Sequence, residues 1–565
     1  MKTSDTPRSF DPNLYEPLYG EPSLDTFSAC LNARGVYESQ RFALRLSPVV
    51  HDLVNNAIQK AEAGDTAFTG EELQAYSTFL HETVHWWQHK GSTSGFIRSV
   101  LYPIQTHSNL TDIQKIVTAL GPQKPIKTLA MRGELGLLAP NFTEIGFAAN
   151  TVTNNFMDTE FYLALTLKPV LNVEIYNDPY FQAAGHSFLI TYSLVLGAIR
   201  EIIDTEGVLF PDPDALADNL TELAQRRVRG YYYKSDIIRA PVGLLDLYEG
   251  QARFIQLQFL ALSCGGLSIA EAKSRGMLDG VYGTAFHAFL KISEAPEPEE
   301  LSDPLIALFL FICDMSINPT VGFPALIEDY ENFFLEADPG IRFAMLCKAV
   351  AAEAPELRTF VTNYSAEEYF ALAQRLGDLT GLGSHLNDLT RLNKHTSIHN
   401  EAINLMEEHR SFRFTPNNIA LRVLLGEFLT FVSDRCETPE FFCWTGYWLT
   451  IGGGERQREL WLKHLSLFSD KADDGALFPR NYPGRNREDI QEVFNQFFAA
   501  NILYDLSKQW VLKQGSFQLD YSWLTSSANN PSFEERVNDL FRKHYGVGLD
   551  EFTLLDQPPM PEARV

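Results

Sequence analysis

The part of this 565-residue chain that most restricts how it can fold is residues 69–90, TGEELQAYSTFLHETVHWWQHK. Thr69 and Glu72 stand three apart, the spacing at which a hydroxyl and a carboxylate cap the orphan amides of a helix start. Leu73, Tyr76, Leu80, Val84 and Trp87 then recur at three- and four-residue intervals, and Gly91 stands where a helix stop belongs. The pattern predicts a helix of about six turns. Phe79, Leu80, Trp86 and Trp87 place apolar surface on several sides, so this helix is expected to be enclosed by the rest of the protein.

Inside it lies His81-Glu82-Thr83-Val84-His85. Histidines four apart sit one above the other on a helix face, so both imidazoles can reach one zinc ion. The intervening Glu82 can then face a water that the metal polarises and take its proton. Paired histidines enclosed by aromatics with nothing to bind would be costly, which favours a metal over a helix that merely carries two histidines.

The rest of the chain reads as mainly α. Amphipathic stretches recur at 111–120, 187–203, 213–228, 244–262, 342–360, 366–376, 399–408, 418–434 and 488–507, whereas a strand pattern is found only near 36–46. Residues 293–304, SEAPEPEELSDP, are rich in proline and acid and predict an exposed connector. The expected organisation is an irregular arm over 1–35, a catalytic domain over 36–292, that connector, a helical C-terminal domain over 305–555, and a tail over 556–565.

Lys plus Arg number 46 against 72 Asp plus Glu, a net charge of −26, so a phosphate backbone would be repelled and nucleic acid is not an expected partner. Six cysteines are scattered without a CxxC pair, which suits reduced thiols. No secretion signal is visible, and the longest apolar run, 305–313, is half the length a membrane span needs. A cytoplasmic protein with no membrane partner is expected.

Residues 69–90 resemble the active-site helix of the zincin metallopeptidases, and the resemblance extends no further along the chain. It implies a zincin-like core, one Zn2+ per chain held by His81, His85 and a third ligand, and Glu82 as general base. The metzincin branch is excluded, because Trp86-Trp87-Gln88-His89 follow where a glycine and a more distant histidine are required. The gluzincin branch takes its third ligand from a glutamate on a downstream helix, and Glu249 in GLLDLYEGQAR (243–253) matches best, with Gly250 and Ala252 allowing close helix approach. The interval from His85 to Glu249 exceeds the usual one, so a helical insertion is expected.

Alternatives to each assignment remain in the sequence. Glu249 is spaced to pair with Arg253 one turn on. His186 is a rival third ligand or an oxyanion donor, and Glu134, Glu144, Asp158 and Glu160 lie nearer to the motif but in segments that read as loops. His89 lies a further turn along, out of reach of an ion between His81 and His85. For the oxyanion, the resemblance asks for a Tyr, His or Arg on another element, and the candidates are His186 and Tyr232 within Tyr231-Tyr232-Tyr233, which follow the basic RRVRG at 226–230. The triplet Gly452–Gly454 lacks the ending of a phosphate loop, and His395 with His399 lacks the motif glutamate.

The expected activity is hydrolysis of peptide bonds in a protein or peptide substrate, with the C-terminal helical region as lid or as the docking surface of a regulatory protein. The competing expectation is a helical binding or regulatory protein in which the same residues hold a structural or relic metal.

Overall fold

The computed structural model describes residues 34–556, apart from 266, 451, 452, 473, 526, 527 and 529. The arm expected over 1–35 lies outside them except for its last two residues, as do residues 557–565 of the tail, Cys30 and Gly452. The chain is mainly helical with a short strand element near its N-terminus. Where the sequence predicts one strand over 36–46, two short strands form, Gly35–Glu38 and Ala43–Leu46, paired antiparallel. The sheet continues into the C-terminal part: Ala43–Leu46 pairs parallel with Phe468–Lys471, which pairs antiparallel with Asp474–Pro479. The C-terminal region is therefore not purely helical. Its strands are too short for an alternating pattern to reveal them.

The motif helix runs Gly70–Gly91 and is capped as its sequence predicts. Glu72 N–H donates to Thr69 Oγ1 at 3.1 Å, and Thr69 N–H donates to the Glu72 carboxylate at 2.8 Å. Almost every residue from Glu72 onward is buried. Helices Pro48–Glu62, Thr93–Ser108, Leu244–Cys264 and Ile419–Glu437 and strands Gly35–Glu38 and Ala43–Leu46 pack against it. Trp87 is packed among Phe431, Phe441, Phe442 and Trp461, and its indole N–H donates to the His464 carbonyl at 2.7 Å. Each such aromatic contributes roughly 2–3 kcal/mol by burial, and the bonded indole adds no unpaired polar group.

Gly91 ends the helix for a different reason from the one its position suggests. A Cβ there would stand 2.2 Å from the Phe431 ring, so the glycine admits helix Ile419–Glu437. The stop itself is made by Ser92, which has extended backbone and accepts from Gly95 N–H to begin the next helix at once.

Both halves of the chain share one large hydrophobic core, with residues from Tyr37 to Phe498. Residues 293–304 do not divide it. Ser293 and Leu301 in this stretch are buried, and helices Val281–Ile292 and Pro304–Ser316 on either side both pack on Leu244–Cys264. A smaller core joins helices Leu110–Leu120, Ile126–Glu134 and Thr143–Leu167 to Arg487–Leu512 and Pro531–Tyr545. Cys313, Cys347 and Cys443 are buried thiols. One described helix, Ala184–Ile203, is long and apolar enough to cross a membrane, and most of it is buried inside the protein.

Candidate metal centre

His81 and His85 leave the motif helix on the side covered by helix Leu244–Cys264. There they meet Glu249. The two imidazole Nε2 atoms lie 3.0 Å apart, and Glu249 Oε2 lies 3.4 Å from the first and 3.3 Å from the second. No other group of three or more His, Cys, Asp or Glu among the described residues brings its ligand atoms together in this way. Donors held about 2.0–2.2 Å from a tetrahedral ion stand roughly 3.3 Å from one another, so the triangle is of a size that could hold a metal ion. Two imidazole nitrogens and a carboxylate oxygen thus converge as the group that could do so.

The support behind the ligands is asymmetric. Gln88 Oε1 bonds His85 Nδ1 at 2.8 Å, which directs Nε2 at the cluster, and the Gln88 amide donates to the Tyr248 carbonyl and to Gln251 on the Glu249 helix. His81 Nδ1 is buried with no partner among the described residues. Its ring stands edge-on to His85 and 6.0 Å from the ring of Tyr282.

Burial holds His81 down to about 4, so this imidazole stays neutral. Burial also opposes a charge on His85, but Glu249, with help from Glu82 and Gln88, outweighs it and lifts His85 to about 9. Glu249 would likewise be raised by burial, yet the two histidines keep it well below the usual carboxylate range. One positive charge among these groups is stabilised by the surrounding carboxylates, which is the electrostatic condition a metal ion meets.

Glu82 is buried beside the cluster and burial raises its carboxyl to about 7, with the Tyr37 backbone N–H donating to it. The strand Gly35–Glu38 reaches it because Gly35 has no side chain: a Cβ there would lie 2.9 Å from Thr78 Cγ2 and 3.1 Å from Glu82 Oε1.

Of the residues assigned from the sequence, His81, Glu82, His85 and Glu249 come together. His186 bonds Asp158 through Nδ1 at 3.1 Å, and Tyr232 lies under the Arg227 guanidinium at 4.9 Å. Tyr231 fills the space over Gly185, and its hydroxyl donates to the Tyr330 carbonyl. The tyrosine that reaches the histidines is Tyr282, at the start of helix Val281–Ile292. His89 packs between Tyr37 and Tyr248. His395 lies in the last turn of helix His385–Thr396, whereas His399 is the extended residue that precedes helix Asn400–Ser411, so the four-residue stacking rule does not apply to them.

Arg253 is the alternative partner that the sequence offers Glu249, but no Arg253–Glu249 ion pair forms, and its guanidinium lies 4.0 Å over the Tyr282 ring. The only cue in the sequence was its place one turn beyond Glu249.

Comparison with known proteins returns nothing: no family model matches the chain, and no curated protein and no solved structure matches it.

Proposed function

We propose that the protein is a zinc-dependent hydrolase that cleaves peptide bonds, with a gluzincin-like ligand set of His81, His85 and Glu249. The observation that supports this most is the convergence of three ligand atoms, all within 4.8 Å of one another, beside a buried carboxylate on the same helix. Two imidazoles and one carboxylate favour zinc among common divalent ions and leave a position for water. When bound, zinc lowers the pKa of water and polarises a carbonyl.

The chain's own residues divide the remaining work. Glu82 accepts the proton of the attacking water and returns it to the leaving amine; with its carboxyl near 7 it can do both at neutral pH. Gln88 fixes the His85 ring, since a ligating histidine depends on what holds its other nitrogen. Tyr282 stays protonated, its phenol raised by burial, and serves as a hydrogen-bond donor for the charge that develops on the substrate carbonyl.

The test is metal content by plasma mass spectrometry on wild type, His85→Ala, Glu249→Ala and Glu82→Gln, followed by peptide-library profiling. One zinc per wild-type chain, lost from both ligand variants and kept by Glu82→Gln, is expected. Glu82→Gln should lower hydrolysis by at least about a hundredfold. A wild-type protein that takes up no zinc at neutral pH would end the proposal.

A further inference from the structure

Arg253 stands one helical turn beyond Glu249, about 6 Å along the same face of the helix. Parts of three helices fix its direction. Nη1 donates to Gln256 Oε1 at 2.6 Å, and the Gln256 amide donates to Ser77 Oγ on the motif helix at 3.1 Å. Its guanidinium carbon stacks 4.0 Å over the Tyr282 ring, and Tyr282 in turn faces His81. Its charge is felt at His81, Glu82 and Tyr282.

What this arginine lacks is an acid. No carboxylate among the described residues pairs with it, and Nε is buried without a partner. A half-buried arginine without a counter-ion carries a desolvation cost. Arg342, Arg358 and Arg480, which also lack an ion pair among the described residues, meet theirs by donating to backbone carbonyls, whereas Arg253 donates to the side-chain amide of Gln256 beside the cluster. Arg253 does not help the metal either, since a fixed positive charge next to a cation site weakens cation binding. Both costs are relieved by an anion that arrives with the substrate. A planar guanidinium held at fixed orientation suits a carboxylate, which it can grip through two parallel bonds.

We propose that Arg253 anchors a substrate carboxylate close to the bond that is cut. The proposal rests on the hydrolase reading and narrows its substrate class to peptides bearing a negative charge beside the scissile bond. That charge is either the free C-terminus, which would make the protein a carboxypeptidase or dipeptidase, or an Asp or Glu side chain.

Titration calorimetry on the zinc-loaded wild-type protein tests it with three peptide hydroxamates: one with a free C-terminal carboxylate, its C-terminal amide, and an amide that carries a Glu side chain at the adjacent position. At least one carboxylate-bearing probe should bind tenfold or more tightly than the plain amide. Which one does so identifies the source of the charge. Arg253→Met should abolish that preference with its zinc stoichiometry intact, and Arg253→Lys should retain part of it. Equal binding of all three probes to wild type, or a preference that survives in Arg253→Met, overturns the proposal while leaving the metal site standing. Failure of all three to bind a protein that holds no zinc overturns the hydrolase reading and the proposal together.

Discussion

The motif helix carries two buried polar clusters little more than one turn apart, and they are built on opposite plans. At its last turn, Lys90 Nζ donates to Glu427 at 2.9 Å and to His464 Nδ1 at 3.1 Å. His464 Nε2 reaches Asp434 at 2.7 Å, and His409 reaches the other oxygen of Glu427 at 2.8 Å. Donors and acceptors alternate, so this cluster is complete within the protein. One turn earlier, His81, His85 and Glu249 bring Nε2, Nε2 and Oε2 together, and among the described residues His81 Nδ1 is buried with no partner and Arg253 stands nearby with no carboxylate partner. A satisfied network fastens helices together, whereas an unbalanced one calls for a ligand.

The largest expected difference follows from breaking the complete cluster. Lys90→Met leaves Glu427 buried with half its partners and should cost about 3–5 kcal/mol in urea denaturation, with zinc stoichiometry unchanged. If that variant loses its metal as well, the two clusters are one unit and the contrast fails.

A smaller effect, about 3 kcal/mol, is expected from Glu82→Gln in chelator-treated protein. The Glu82 carboxyl is raised by burial from 4.5 to about 7. Between those values the folded form keeps a proton that the unfolded chain has released, so stability falls as pH rises through this window and stays lowered above it. Glutamine has no such penalty. Glu82→Gln should therefore match wild type near pH 4.5 and exceed it at pH 8, as read from denaturant midpoints at the two pH values. No gap at pH 8 would mean that Glu82 is not a strained carboxylate.

The smallest effect tests the support behind one ligand. Gln88→Leu removes the acceptor that orients His85 and should weaken zinc binding about 10- to 100-fold in competition with a chromogenic chelator. Unchanged affinity would show that helix packing alone positions the ring.

Much of the motif helix was legible because its determinants are local. The Thr69–Glu72 cap and the spacing of His81, Glu82 and His85 are each set within a few residues. Glu249 was legible for a weaker reason, the small residues beside it, and Gly250 does stand 3.2 Å, by its absent Cβ, from Ala285 of the Tyr282 helix. His186 and Tyr232 were chosen for their chemical type, and the fold pairs them with Asp158 and Arg227. Tyr282 carried no signal, because its place beside His81 comes from how two helices cross and not from any spacing along the chain. The continuity of the core across residues 293–304 was hidden for the same reason: proline and acid content describes the exposure of a segment, not what packs on either side of it.

By itself, the sequence determined a capped, enclosed helix that presents two histidines and a glutamate on a single face, because helical periodicity and capping are short-range physics. Only the tertiary structure decided that Glu249 meets those histidines, that Gly35 lets a strand reach Glu82, and that Arg253 is left without an acid among the described residues. Those are consequences of long-range packing, in which the partner of each group is chosen by where helices and strands cross and not by what lies nearby in the chain.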